Sequence, residues 1–194
     1  EQRTQRRLGE ERSVGRDEHP LQRVARTAKT DAIGQAGDVG QFMYDSHTSL
    51  YRGYVKLNST VNGLQRRSLG LTSTTEINSW PVPELILEVD SYDDRWVPAG
   101  TIQRTHIYGM GTFAYESMYM GLMWIFRATD VDGYYIGPVF TEIASSRDGV
   151  HWLREEGDRP PILDCGPARS WDHGMIGVGS LVVAGDEMRL YYAG

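Results

Sequence analysis

The residues best suited to chemistry in this chain are aspartates and histidines that recur at one position of a repeat. A step of 68 residues carries Asp38 to His106, and a second step reaches Gly174, beside Asp172 and His173. Titratable groups gathered on one concave surface are the raw material of acid–base catalysis, because burial and neighbouring charge tune their proton affinity. His106 adds a group that titrates near neutrality when unperturbed, which suits proton donation. The competing interpretation is that such residues only cap strands and bond to loops. Trp96, Arg104, Tyr108 and Trp171 flank the same positions. Aromatic rings offer flat stacking surfaces, and an arginine forks to hydroxyl or carboxylate groups, so these four are candidate ligand contacts.

Strands must position these groups. Residues 111–115, 119–127 and 135–145 are β-like runs rich in aromatic, β-branched or Met residues. Glu-Ser, Asp-Val-Asp-Gly and Arg-Asp-Gly separate or close them, and Asp and Gly tolerate the positive φ of tight turns. Residues 161–163 supply a fourth strand. Four antiparallel strands make one β-propeller blade. The unit recurs: Leu50-Tyr51-Arg52-Gly53 aligns with Met118-Tyr119-Met120-Gly121 at an offset of 68, and residues 72–80 align with 144–152 at 72. A third copy opens at Ser180. The period exceeds the ~40–50 residues of common propeller repeats and suits long connections. The expectation is an all-β fold, part of a β-propeller of four-stranded antiparallel blades, at about residues 38–95, 105–165 and 172–194. The last is incomplete, because closure takes ~4–8 blades. Polar residues 1–37 form an arm or the remnant of a preceding blade. Trp80 and Trp152 are expected to be equivalent buried plugs. In such a wheel Asp38, His106 and Asp172 would start three inner strands and face one axial funnel.

Composition narrows the partners. A net charge of −6 and a pI near 5.4 argue against nucleic acid, even though the first 30 residues hold 8 of the 20 Lys and Arg. No apolar run approaches the ~20 residues that span a bilayer, so no membrane segment is expected. A single cysteine, Cys165, excludes an internal disulfide and a cysteine-cluster metal site; it reads as a half-buried small residue. His47, His106, His151 and His173 lack close metal-ligand spacing. Asp90, Asp93 and Asp94, or Asp130 and Asp132, have the oxygen chemistry for Ca²⁺, but solvated acidic loops are commoner. Neither a metal nor a cofactor is expected.

Seven segments carry a resemblance through their order and spacing. They are Gly37-Asp38, Phe42-Met43-Tyr44-Asp45, Arg66-Arg67-Ser68-Leu69-Gly70, the run from Trp80 to Leu87, Tyr108-Gly109-Met110, the run from Ser146 to Trp152, and Ser170-Trp171-Asp172-His173-Gly174-Met175. Together they resemble the five-bladed propeller glycosidases of the invertase-like and arabinanase-like group, nearest to a bacterial branch of family 32-like glycosyl hydrolases. The run from Ser146 to Trp152 also resembles the Asp-box of sialidases, one residue short, and is expected to clamp a hairpin. The resemblance implies a carboxylate-lined funnel that binds a sugar ring. Asp38 would then be stabiliser, nucleophile or base, and Asp172 a second carboxylate. A separation of ~5–5.5 Å would suit retention and ~6.5–9.5 Å inversion. The chain departs from the group in having no Glu at an inner-strand start. The general acid would then be Glu142, within a third strand, or a residue of a further blade, with His106 as the alternative donor; Glu116 falls in a hairpin away from the funnel. The implied function is a glycoside hydrolase, and the alternative is a non-catalytic propeller that binds carbohydrate or protein.

Overall fold

Period-two alternation gives strands and no helix throughout the described part of the computed structural model, residues 36–194. The arm expected over residues 1–37 lies, except for its last two residues, outside the described residues. The first sheet is antiparallel, in the order β1 (Gly40–Asp45), β2 (Leu50–Val61), β3 (Leu64–Thr74) and β4 (Glu84–Leu87). The second sheet places β5 (Gln103–Tyr115), β6 (Met118–Val131), β8 (Val139–Ser146) and β9 (Trp152–Arg154) side by side, with β7 (Tyr134–Ile136) paired to the end of β6. A third sheet contains β10 (Gly177–Ala184) and β11 (Glu187–Ala193). Asn62-Gly63 and Asp132-Gly133 close two of the hairpins with positive φ at both residues, the geometry that matches strand twist.

Two strand assignments change. The fourth strand of the second sheet is β9, not residues 161–163, where Leu163 makes only an isolated bridge to Thr141. Pro160 and Pro161 lack the N–H that a ladder needs. The expected run 135–145 divides into β7 and β8 at Gly137-Pro138. Gly137 has φ 149°, and a Cβ there would collide with the Arg127 carbonyl.

The repeat survives in the register of the middle strands. Gly53, fourth in β2, faces Phe42 and Thr72; Gly121, fourth in β6, faces Thr112 and Ala144. Offsets of 68 and 72 therefore hold on the second and third strands. On the first strands the offset is 70, because residues 46–49 separate β1 from β2 whereas only 116 and 117 separate β5 from β6. Asp38 thus corresponds to the step between Ile107 and Tyr108, where β5 carries a bulge, and not to His106.

A main core of Tyr54, Leu69, Ile107, Met110, Met123, Ile125 and Trp152 joins the first and second sheets; Leu122, Ile176 and Val178 join the second to the third. Each large side chain withdrawn from water contributes about 1.5–3 kcal/mol. Trp80 and Trp152 are both buried, at 9% exposure. Trp152 meets Tyr54 edge-on at 5.9 Å, and Trp80 meets Phe42 at 5.4 Å. The Trp80 indole donates to the Ile77 carbonyl at 2.8 Å. Strand β5 packs against both β1 and β10. Gly109 lies against the Val39 and Trp124 side chains, and Gly111 against the Gly179 carbonyl, so only at Gly111 does a backbone approach leave no room for a side chain.

The expected hairpin clamp docks on the first sheet. Asp148 Oδ1 accepts the Val150 and His151 N–H groups, each at 2.8 Å, and Ser146 Oγ accepts from Gly149 N at 2.9 Å. Arg52 and the Tyr54 hydroxyl then donate to the Asp148 and Gly149 carbonyls at 2.8 and 2.9 Å.

Candidate functional site

A cleft of about 440 Å³ lies between the 90–97 loop, the 157–160 loop and strands β6 and β8. Side-chain alternation puts Ile125 and Arg127 of β6 on its wall, with Glu142 of β8. Glu142 is 5% exposed, and its Oε2 accepts from Arg154 Nη2 at 2.8 Å. The same guanidinium donates twice to Asp93, at 2.8 and 2.6 Å, and Arg159 links Asp93 to Asp90. Burial pushes the Glu142 carboxyl above its ordinary range; Arg154 opposes this and Asp93 reinforces it. Trp96 stands at the same wall, its indole donating to Thr105 Oγ1 at 2.8 Å and its ring 5.6 Å from the Arg127 guanidinium. The acidic loop is not merely solvated. Asp90 and Asp93 are engaged by Arg159 and Arg154, Asp94 by Arg66 at 2.6 Å, and Asp130 by Arg104 at 2.9 Å. Among the described residues no three His, Cys, Asp or Glu side chains are grouped to hold a metal ion.

A second group forms around Tyr108. The bulge re-aims this side chain, whose ring is approached by Lys56, 5.3 Å from its centroid, and by Arg67, 4.6 Å away. Lys56 is ion-paired with Asp38, whose own side chain is largely exposed. That pairing holds the Asp38 carboxyl below its ordinary range. His106 is 1% exposed beside Phe126 and Tyr135, and its Nδ1 accepts the Arg67 backbone N–H at 2.9 Å. Burial, then the charges of Arg67, Arg66 and Arg104, push its pKa down to about 3. The imidazole is thereby kept neutral at pH 7 and holds its proton on Nε2 as a hydrogen-bond donor.

Asp172, His173 and Trp171 make a third group ahead of β10. Asp172 accepts from Ser170 Oγ at 2.7 Å and from the Tyr192 hydroxyl at 3.3 Å, and the Ser170 bond holds its carboxyl below the ordinary range. Trp171 is 67% exposed and stacks on Tyr192 at 5.2 Å. His173 Nδ1 meets the Ser170 carbonyl at 2.8 Å. Cys165 is half-buried, and its thiol donates to the Val139 carbonyl at 3.3 Å.

The candidates therefore fall into three neighbourhoods: Glu142 with Trp96, then Asp38, Arg104, His106 and Tyr108, then Asp172, Trp171 and His173. Sequence reasoning missed Lys56, Arg67, Arg127 and Arg154, and singled out Asp93 only as a candidate Ca²⁺ ligand. The Arg66-Arg67 doublet on a strand was a usable signal, since one of two adjacent strand residues must face inward. Asp93 and Arg154 meet across 61 residues of chain, and nothing local marks them as partners.

No family model matches the chain, and no curated protein does. Solved structures do share its fold. An N-acetylgalactosamine deacetylase from F. plautii, in complex with blood group B trisaccharide, is similar with a TM-score of 0.55 at 19% identity, over 79% of this chain and 39% of that one. A glycoside hydrolase is similar with a TM-score of 0.52 at 13% identity, over 79% of this chain and 40% of that one. The chain thus spans about two-fifths of the length of these neighbours and shares with them an all-β architecture of antiparallel sheets.

Proposed function

We propose that this chain is part of a five-bladed β-propeller that binds a carbohydrate and hydrolyses a glycosidic bond, with the three sheets as blades at about residues 38–95, 105–165 and 172–194. The packing of β5 between β1 and β10 supports that architecture, because inner strands of successive blades adjoin around an axis. The carrying observation is Glu142: a buried carboxyl with raised proton affinity on the wall of a 440 Å³ cleft that also presents Trp96. A general acid needs to hold its proton near working pH, and a sugar ring needs an aromatic platform. Asp38, kept ionised by Lys56, is the residue the resemblance offers as base, nucleophile or stabiliser and Asp172 the second carboxylate, although neither lines the cleft that holds Glu142. Two neighbours, a deacetylase holding a trisaccharide and a glycoside hydrolase, are consistent with a sugar ligand.

A binding-only function is the second reading. It is favoured by one contact, the 2.8 Å bond from Arg154 to Glu142, which stabilises the ionised form and ties the carboxyl into a structural network. Kinetics with aryl glycosides and glycan binding on the full-length protein separate the two. For an acid, Glu142→Gln lowers kcat by about 10²–10⁴ while binding persists, and Asp38→Asn abolishes turnover. Trp96→Ala weakens binding in either case. Glycan binding without turnover in the unmutated protein selects the second reading, and absence of glycan binding rejects both.

A further inference from the structure

The charges around Tyr108 are unequal. Lys56, Arg66 and Arg104 each have a carboxylate, in Asp38, Asp94 and Asp130. The Arg67 guanidinium has no ion-pair or hydrogen-bond acceptor among the described residues; only its backbone N–H is engaged, by His106. It is held instead by aromatic rings, 4.6 Å from Tyr108 and 5.3 Å from both Phe126 and Tyr135. Ring faces attract a guanidinium without using its N–H edge, which stays available for a bidentate acceptor.

Beside Arg67 lies a cavity of about 50 Å³ lined by Asn58, Gln65, Arg66, Arg67, His106 and Tyr135. Two of its lining residues carry buried donors with no partner among the described residues, Arg66 Nε and His106 Nε2. Because Nδ1 of His106 accepts from Arg67, the ring proton sits on Nε2, so both orphan atoms are donors. Buried donors left without acceptors are costly, and the economical remedy is an acceptor supplied from outside. The space exceeds the ~10–15 Å³ that one water requires. Arg67 and Lys56 both lie against the Tyr108 ring, and Lys56 is ion-paired with Asp38, so the niche is linked to a residue of the proposed sugar site.

We propose that Arg67, His106 Nε2 and Arg66 Nε form an anion niche that receives the carboxylate of an acidic sugar, so that the glycan recognised by this chain carries a uronic acid. The assignment rests on the carbohydrate reading above and narrows it to a charged substrate class. Neutral sugars have acceptors but no charge to set against Arg67, and a planar carboxylate matches its fork.

Titration of the full-length protein with glucuronate and galacturonate, against glucose, galactose and acetate, tests this by NMR shift or calorimetry. A uronate is expected to bind at least about tenfold more tightly than its neutral parent, or about 1.4 kcal/mol. Arg67→Gln should erase that difference, and Arg67→Lys should restore only part of it, since an ammonium cannot fork. Neither change leaves a protein hydrogen bond broken at the guanidinium, and near-UV circular dichroism checks that the fold persists. Equal binding of uronate and neutral parent, unaltered in Arg67→Gln, overturns the inference and leaves the proposed function intact. Acetate binding as tightly as the uronate overturns the sugar assignment in favour of a free-anion niche. If no sugar binds, neutral or acidic, the carbohydrate reading fails and this inference with it.

Discussion

Burial acts on Glu142 and His106 in opposite directions along the pH scale, moving each toward its uncharged form. His106 falls from 6.5 to about 3 in the folded protein. A depressed folded value means that the unfolded chain binds the proton first, so the stability His106 contributes is complete above about 6.5 and is lost as pH falls toward 3. We expect thermal stability to decline across that interval at up to about 1.4 kcal/mol per pH unit, and to decline less in His106→Gln, measured by melting at several pH values. Asp45 adds a second acid-labile point. Burial raises its carboxyl, but bonds from Thr48, the Tyr119 hydroxyl and the His47 N–H, with the Arg52 charge, more than offset this and lower it. At this scale the sequence was informative about residue type and poor about environment. The recurring Asp and His positions were visible, yet of the groups that suppress protonation of His106 only Arg104 is near it in the chain; its burial and the approach of Arg66 and Arg67 come from the fold.

Strand content and the two middle-strand offsets were legible because side-chain period and glycine positions are local properties. The inner-strand offset was not, because it depends on two turns of different length, residues 46–49 and residues 116–117. That two-residue difference is what moved the partner of Asp38 from His106 to the bulge at Tyr108. The clamp from Ser146 to Trp152 is the element most open to test. Gly149 has φ 73°, and a Cβ there would press on Arg52 Nη1 and the Tyr54 hydroxyl. Gly149→Ala should cost about 1–3 kcal/mol in urea unfolding, combining backbone strain with loss of the dock. Gly185→Ala is the control: its φ is 63° but nothing lies within 4 Å of the added carbon, so only the backbone penalty remains. Trp80→Ala and Trp152→Ala should each cost about 3–5 kcal/mol, as large aromatic truncations do; a neutral result at either would end their equivalence.

Over the whole molecule the first two sheets are joined by a shared apolar core, and an ionic knot in which Arg154 bridges Glu142 and Asp93 ties the second sheet to the loop between them. Arg154 has a side chain 4% exposed, so Arg154→Gln should destabilise by about 3–5 kcal/mol, the cost of leaving buried charge unpaired; equilibrium unfolding measures it. The third sheet is different. Among the described residues no strand pairs with the far side of β11, and Val182, Val183, Met188 and Tyr191 lie open to solvent on the two strands. A row of free N–H and C=O groups beside apolar side chains is a template for any extended chain, including another copy of itself. The chain spanning residues 1–194 alone should therefore be colloidally unstable, its sedimentation coefficient climbing with concentration. A charge placed on that rim, as in Tyr191→Lys, should hold it monomeric without touching either candidate cleft.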